Sequence, residues 1–330
     1  MESVKYRGKN FEVVDGDLDL SSQEISNINE IEGLSELDEL ISLDLSFNKI
    51  NEIKGFNNLE NVEFLDLDSN QITHLTGLSQ LPNLKRLYLN NNHIRKIENL
   101  DDLRKLKYLE ISNNQINTIS GINHLTHLEV LRLENNQISE IKNIDELQAL
   151  TKLYLSHNEI TKVKNLETLS NLKILDLNQN EIGSIENMEE LYRLEALTLS
   201  NNNIPEIDRL DEQFKLMLLN LENNNISKIK GLENCTDLRI LNLASNNISA
   251  FEGLNNQTNL VNLNLENNNI SNLQGIENLE KLKILKVSGN NIESIEILDE
   301  LPELETIYIK NTTISKERIE QLGERFNIYL

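Results

Sequence analysis

The stretch that decides the fold is Leu43-Asp44-Leu45-Ser46-Phe47-Asn48-Lys49-Ile50. Its two leucines alternate with polar residues, which is the period of a strand with one buried face. Versions of this stretch return every 22 residues along most of the chain. A fixed period of this length indicates a solenoid of stacked repeats, because a single repeat cannot bury its own apolar face.

One asparagine recurs at the same position of each repeat, and we call this series the ladder. Its members are Asn48, Asn70, Asn92, Asn114, Asn136, Asn158, Asn180, Asn202, Asn224, Asn246, Asn268 and Asn290. After each strand the chain must turn inward, which leaves backbone N–H and C=O groups buried without a sheet partner. An asparagine side chain offers both donors and an acceptor to such groups. Each group left unpaired costs about 1–3 kcal/mol, so we predict that the ladder is structural.

The repeat unit reads L-x-x-L-x-L-x-x-N-x-I-x-x-I-x-x-L-x-x-L-x-x, as in Leu84–Leu103. It resembles the 22-residue leucine-rich repeats of the protein phosphatase 1 regulatory subunit 7 family and of bacterial internalins. The resemblance extends from about Leu18 to Ile314. It implies an α/β-class repeat solenoid, a right-handed horseshoe whose concave face is a parallel β-sheet.

Outside the strands, apolar residues come at every third position, as in Ile53–Val62. This period suits short 3₁₀ turns better than an α-helix, so we predict a convex side of 3₁₀ helices and turns. Two glutamines, Gln213 and Gln257, interrupt the apolar series. They indicate a local bulge, a secondary contact site or tolerated variation on the surface.

We predict three segments. Residues 1–16 form an N-terminal hairpin that covers the first edge of the sheet. Residues 17–314 hold about 13–14 repeats of the solenoid. Residues 315–330 form a C-terminal helical cap with Ser315 at its N-cap, followed by a short strand at Asn327–Leu330.

The composition excludes several classes of partner. A net charge of −23 repels nucleic acid and anionic membranes. The single cysteine, Cys235, excludes an internal disulfide and takes a leucine position of the core. The N-terminus has no apolar run of the signal-peptide kind, and no segment reaches membrane-spanning length. We therefore expect a cytoplasmic protein, or a nuclear one in a eukaryote.

The outward positions of successive strands form columns, because parallel strands stack about 4.8 Å apart. Tyrosine and arginine in these columns are the types enriched at interface hot spots. Only 4% of the chain is aromatic, so their clustering indicates a binding surface, although tyrosine also simply suits strands. The predicted partner-binding residues are Asp44, Asp66, Asp68, Phe64, Arg86, Tyr88, Tyr108, Arg132, Lys152, Tyr154 and Ile174.

Three of these residues, Asp44, Asp66 and Asp68, form an acidic patch that the scaffold does not need. Stacked carboxylates repel each other, so a basic partner would stabilise them. A Ca²⁺ or Mg²⁺ ion and a solvated acidic face are the alternatives. We predict no dedicated metal site and no cofactor.

Nothing in the sequence suggests catalysis. The histidines His74, His93, His124, His127 and His157 are scattered, and no nucleophile or glycine-rich phosphate loop accompanies them. We predict a non-enzymatic, monomeric scaffold that binds another protein in its concave face. The resemblance implies the catalytic subunit of a serine/threonine phosphatase like protein phosphatase 1 as that partner. The alternatives are an internalin-like host- or surface-interaction module and a protein-binding adaptor of another complex.

Overall fold

The computed structural model describes residues 2–330. The chain divides into two compact units, the first ending at Glu159 and the second beginning at Ile160. Each unit is a stack of short parallel strands joined by long connections that return the chain to the next strand. This is the parallel-strand repeat solenoid that the 22-residue period predicts.

The first unit opens with an antiparallel hairpin of β1 (Ser3–Tyr6) and β2 (Lys9–Glu12). The backbones of Lys5 and Glu32 exchange two hydrogen bonds, which join the hairpin to the first repeat. The parallel strands are β3 (Asp17–Asp19), β4 (Ser42–Asp44), β5 (Phe64–Asp66), β6 (Arg86–Tyr88), β7 (Tyr108–Glu110), β8 (Val130–Arg132) and β9 (Lys152–Tyr154). Each pairs with the next so that their central leucines form one buried row.

The second unit continues the same pattern. Its strands are β10 (Ile174–Asp176), β11 (Ala196–Thr198), β12 (Leu218–Asn220), β13 (Ile240–Asn242), β14 (Asn262–Asn264), β15 (Ile284–Lys286), β16 (Thr306–Tyr308) and β17 (Asn327–Tyr329). Between β16 and β17 lies α1 (Lys316–Leu322), whose first turn is capped by the Ser315 hydroxyl accepting from the Arg318 N–H at 3.3 Å.

The connections between strands contain few helices, as the three-residue apolar period predicts. Within residues 2–330, α1 is the single α-helix. The 3₁₀ helices of the described chain are Ile28–Glu30, Leu34–Glu36, Leu78–Gln80, Ile276–Asn278 and Glu296–Glu300. No helix in this described range is long and apolar enough to span a bilayer.

The ladder asparagines are buried and link neighbouring repeats. The Asn92 side chain is representative. Its Oδ1 accepts from the Ile72 N–H at 2.9 Å, and its Nδ2 donates to the carbonyls of Leu67 at 3.0 Å and Leu89 at 3.2 Å. One side chain thus pairs the turn of its own repeat with backbone groups of the repeat before it.

The two glutamines that interrupt the apolar series are buried, which corrects the prediction that they lie at the surface. Gln213 and Gln257 are only 1% and 0% exposed. Their Nε2 atoms donate to the carbonyls of Met188 at 2.7 Å and Leu232 at 2.6 Å. The amide thus points into the core, where it serves a backbone acceptor of the preceding repeat.

Cys235 occupies the same slot in the repeat between these glutamines and is fully buried. Its thiol lies 3.6 Å from the Leu210 carbonyl, to which it donates. Burial raises the pKa of this thiol to about 12, so the side chain stays protonated and packs as a core residue.

Candidate functional site

The outward side chains of β4–β9 form one surface of the first unit, which we call the strand face. Strand pairing places Asp44, Asp66, Tyr88, Glu110, Arg132 and Tyr154 in one row. A second row holds Phe64, Arg86, Tyr108, Val130 and Lys152. The rows therefore bring together the predicted partner-binding residues, except that Asp68 lies two residues beyond the end of β5 and Ile174 begins β10 in the second unit.

Aromatic rings in the middle of the strand face are held by their neighbours. Phe64 and Tyr88 meet edge to face with centroids 5.3 Å apart. The guanidinium of Arg86 lies 4.9 Å from the centre of the Tyr108 ring. Edge-to-face and cation–π contacts of this kind are attractive, so these side chains lose little freedom when a partner covers them.

Arg132 is the most firmly held cation of the strand face. Its guanidinium lies 4.1 Å from the centre of the Tyr154 ring. Its Nη1 donates to Glu134 Oε1 at 2.8 Å, and its Nε lies 3.7 Å from Glu110 Oε1. The Ser112 hydroxyl in turn donates to Glu134 Oε2 at 2.5 Å. The arginine is therefore preorganised, with a planar group beside an aromatic ring.

Glu110 and Glu134 are site residues that our sequence analysis did not include. Glu110 contacts Arg132 from the neighbouring strand β7, Glu134 contacts it from just after the end of β8, and both are only partly exposed. The sequence could have indicated Glu110, because the 22-residue period places this carboxylate next to Arg132 on the adjacent strand. Lys152, which was included, lies exposed at the start of β9.

Four carboxylates gather at the N-terminal end of the strand face, and we call Asp44, Asp66, Asp68 and Glu110 the acidic cluster. Burial, together with the charges of Asp68, Asp44 and Glu110, raises the pKa of Asp66 to about 6, although the hydrogen bond from the Asp68 N–H lowers it. Burial likewise raises the pKa of Asp68 and of Glu110. The cluster thus holds its negative charge against both desolvation and mutual repulsion.

Hydrogen bonds fix the positions of these carboxylates. Asp66 Oδ1 accepts from the Asp68 N–H at 2.9 Å. Asp68 accepts from both the backbone N–H and the side-chain Nδ2 of Asn90, at 2.6 and 3.1 Å. The same Nδ2 lies 3.4 Å from Glu110 Oε2. Across residues 2–330, no three His, Cys, Asp or Glu side chains are placed so that they could share a metal ion.

Phe47 is a third site residue that was not predicted from the sequence. The residue directly before each ladder asparagine has a positive φ, and in the first unit the other such residues are Ser69, Asn91, Asn113, Asn135 and His157. Phe47 has a φ of 54° and is 65% exposed. Its N–H donates to the Asp68 carbonyl at 2.9 Å, which places it beside the acidic cluster.

A bulky side chain at positive φ is a true outlier, and a residue that is 65% exposed packs little against its own chain. The sequence could have indicated Phe47, because the other repeats of the first unit have a small or polar residue at this position.

Comparison with family models identifies the repeats. Residues 89–326 match the model of a leucine-rich repeat region, and residues 3–112 match that of a leucine-rich repeat. The chain belongs to the leucine-rich repeat family. This fold is generally a non-enzymatic scaffold for protein–protein interaction. In the comparison with curated proteins, none matches the sequence.

Solved structures similar to this leucine-rich repeat protein include several from bacteria. An internalin, InlF of Listeria monocytogenes, is 29% identical with a TM-score of 0.81, over 91% of this chain and 87% of the internalin. A Leptospira interrogans leucine-rich repeat protein is 26% identical with a TM-score of 0.76, over 95% of both chains.

A third similar structure, the functional domain of L. monocytogenes InlJ, is 22% identical with a TM-score of 0.67, over 89% of this chain and 74% of that domain, and so shows the fold alone. The internalin part of the resemblance is thus supported. The comparisons give no support to the phosphatase 1 regulatory subunit 7 family specifically.

Proposed function

We propose that this leucine-rich repeat protein binds another protein through the strand face of its first unit. The observation that carries the proposal is the pair of adjacent rows of aromatic, arginine and carboxylate groups, which neighbouring side chains hold in place before any partner binds. Binding to groups that are already ordered costs less conformational entropy. The leucine-rich repeat fold itself supports the same role.

The chemistry of the strand face favours a partner with a basic segment. A cationic side chain placed against Asp44, Asp66 and Asp68 would relieve the repulsion and desolvation that raise the pKa of Asp66. The overall charge of −23 would also accelerate the approach of a basic protein. Of the three interpretations of the acidic patch, we therefore favour the basic partner.

The residues divide by role. Tyr88, Tyr108, Arg132 and Tyr154 anchor the partner, because rigid rings and a planar guanidinium carry most of the energy in interfaces. The acidic cluster orients the partner, because charge complementarity acts chiefly on association rate and register.

The test begins with an affinity pull-down from native lysate at low and high salt, followed by purification of the main partner. Its affinity is then measured by calorimetry for the wild type and for the double variant Tyr108→Ala/Tyr154→Ala. We expect binding at least about 30-fold weaker in the double variant.

Tyr192→Ala is the matched control, since Tyr192 is an exposed tyrosine of the second unit that lies off its strands. Its affinity should equal that of the wild type. If the double variant binds as tightly as the control, Tyr108 and Tyr154 are not anchors.

The identity of the partner has three versions, and each predicts a different result. One version is a phosphatase 1-like catalytic subunit bound by a monomer in the cytoplasm or nucleus, and it predicts that phosphatase activity co-purifies with the chain. A second version is an internalin-like surface-interaction module, which the 29% identity to an internalin supports. It predicts that the chain is found at the cell surface. An adaptor role predicts neither result and instead a further protein of a larger complex.

A further inference from the structure

A cavity of about 660 Å³ lies on the flank of the first unit, just past the ladder, and we call it the flank cavity. It is lined by Thr73, His74, His93, Arg95, Lys96 and Gln115. None of these residues belongs to the strand face, so the flank cavity is independent of the surface proposed for protein binding.

The charge of the flank cavity is opposite to that of the chain. Acidic residues outnumber basic ones by 54 to 31 over the whole sequence. The cavity instead combines Arg95, Lys96 and two imidazoles with one carboxylate, that of Glu98. A cavity rich in N–H donors within an acidic protein favours an anionic ligand.

His93 and Arg95 stand where the two neighbouring repeats carry neutral residues. His93 stands at a position where the repeats on either side carry Gln71 and Gln115. Arg95 likewise stands between Thr73 and Asn117 in its own column. Because neutral residues serve the same backbone positions in the neighbouring repeats, the fold does not require either His93 or Arg95.

Arg95 is held in place without its charge being neutralised. Its Nε donates to Gln115 Oε1 at 3.1 Å. In the part of the chain that the structure describes, its two terminal nitrogens have no hydrogen bond and no ion pair. A guanidinium fixed at one nitrogen and open at the other two suits bidentate binding to phosphate oxygens.

Further donors surround this guanidinium. The Lys96 ammonium is 3.2 Å from Glu98 Oε2 but its side chain is 68% exposed, so this ion pair is weak and can exchange. Thr73 Oγ1 and His74 Nδ1 lie 3.0 Å apart and share a hydrogen bond. The cavity therefore offers several donors to one anion from two adjacent repeats.

We propose that the flank cavity binds the phosphate group of a small phosphomonoester, with Arg95 and His93 as its main ligands. A phosphomonoester carries a charge of about −1.5 to −2 near neutral pH and three acceptor oxygens, which match the surplus of donors. The volume lies within the range of about 300–1,000 Å³ typical of small-molecule sites, so the organic part of the ligand also has room.

The test is a titration of the full chain with phenyl phosphate at constant ionic strength, followed through the imidazole proton NMR signals. The signals of His74 and His93 should shift saturably, with a Kd on the order of 1 mM. Those of His124, His127 and His157 should stay in place because these residues lie outside the cavity. A parallel titration with NaCl should move none of them.

Two variants locate the site. Arg95→Thr and His93→Gln introduce residues that neighbouring repeats already carry at these positions, so both should fold. Each should weaken phenyl phosphate binding about tenfold, because a charge-assisted hydrogen bond is lost. Arg104→Gln removes another exposed arginine of the same unit, outside the cavity, and should leave the Kd unchanged.

Three results would overturn the proposal: no saturable shift, equal shifts of all five histidines, or equal weakening in Arg104→Gln and Arg95→Thr. A titration with inorganic phosphate separates the two sources of the phosphate group. Tighter binding of phenyl phosphate supports an organic ester as the ligand. Equal affinities overturn that part and assign the flank cavity to free phosphate.

Discussion

Phe47 combines an unfavourable backbone conformation with an exposed aromatic ring. Its backbone position requires a positive φ, which asparagine tolerates well and phenylalanine does not. The ring gains little in return within the chain, because 65% of the residue is exposed. Strain that persists at an exposed aromatic residue points to a function outside the folded chain.

The variant Phe47→Asn therefore has two opposite expected effects. It should raise the free energy of unfolding by about 1 kcal/mol, because the positive-φ cost falls. It should also weaken binding of the purified partner about tenfold, because an exposed ring beside the acidic cluster is lost. Urea unfolding and calorimetry measure the two effects. A variant that is more stable yet binds as tightly would show that the strain has no role in recognition.

The raised pKa of Asp66 makes the free energy of unfolding depend on pH. Its pKa in the folded protein, about 6, lies above its ordinary value of 3.8. The folded state therefore holds this proton more tightly than the unfolded state, and the free energy of unfolding falls as pH rises from about 4 to about 6. Above that range the cost of the buried charge is fully present.

Asp66→Asn removes this cost while keeping an acceptor for the Asp68 N–H. At pH 7.5 it should raise the free energy of unfolding by about 1 kcal/mol, a value reduced for the solvent screening of a half-exposed group. Near pH 4 it should have no such effect. Asp17→Asn, at an exposed aspartate of β3, is the control. A gain of the same size at both pH values would contradict the assigned pKa.

At the scale of the element, each turn after a strand depends on its ladder asparagine. Asn158 accepts from the Ile138 N–H at 2.9 Å and donates to the carbonyls of Leu133 and Leu155 at 3.0 and 3.1 Å. Asn158→Ala leaves these buried groups unpaired and should lower the free energy of unfolding by about 1–3 kcal/mol.

Thermal and urea unfolding measure this loss. Asn61→Ala is the control, because Asn61 is exposed and makes a single hydrogen bond, to the Asp38 carbonyl at 2.8 Å. Equal melting curves for the wild type and Asn158→Ala would refute a structural role for the ladder.

Replacing the buried glutamines should raise the free energy of unfolding, in contrast to the loss of a ladder asparagine. Gln257 Oε1 is buried without a hydrogen-bond partner in the protein, while the repeat that follows carries leucine, Leu279, in the same slot. Gln257→Leu should therefore raise the free energy of unfolding by about 1 kcal/mol, because a desolvated polar atom is replaced by an apolar one. Gln213→Leu should behave alike. A loss in both variants would mean that the Nε2 bonds to Met188 and Leu232 outweigh the unpaired oxygens.

At the scale of the whole molecule, the net charge of −23 opposes folding through self-repulsion. Raising NaCl from about 0.02 M to about 0.5 M shortens the screening length severalfold, so the melting temperature should rise. Calorimetry at several salt concentrations tests this expectation, and a flat or falling melting temperature would contradict it. Partner binding should weaken over the same range, because its electrostatic attraction is screened.

Much of the fold could be predicted because periodicity is a property of the sequence itself. The Leu-x-Leu spacing located the strands, and the three-residue apolar period indicated 3₁₀ turns rather than α-helices. The inward position of Gln257 could not be predicted, since a polar residue in an apolar series is normally assigned to the surface.

The strand face was predictable in outline only. Column positions follow from the period, so Tyr108 and Arg132 could be placed on one surface. The contacts of Arg132 with Glu110 and Glu134 depend on side-chain rotamers, which column positions do not determine. The residues of the strand face therefore remain a prediction for the binding experiment to test.

The ladder also imposes a direction on folding during synthesis. The Ile50 N–H and the Leu45 carbonyl are both paired by the side chain of Asn70, which leaves the ribosome about one repeat later. The same relation holds between Ile72 and Asn92. The Leu45 carbonyl also accepts from Asn48 of its own repeat, but on a growing chain the Ile50 N–H lacks its partner until Asn70 emerges. A translational pause inside a repeat would leave that N–H without its partner for as long as the pause lasts.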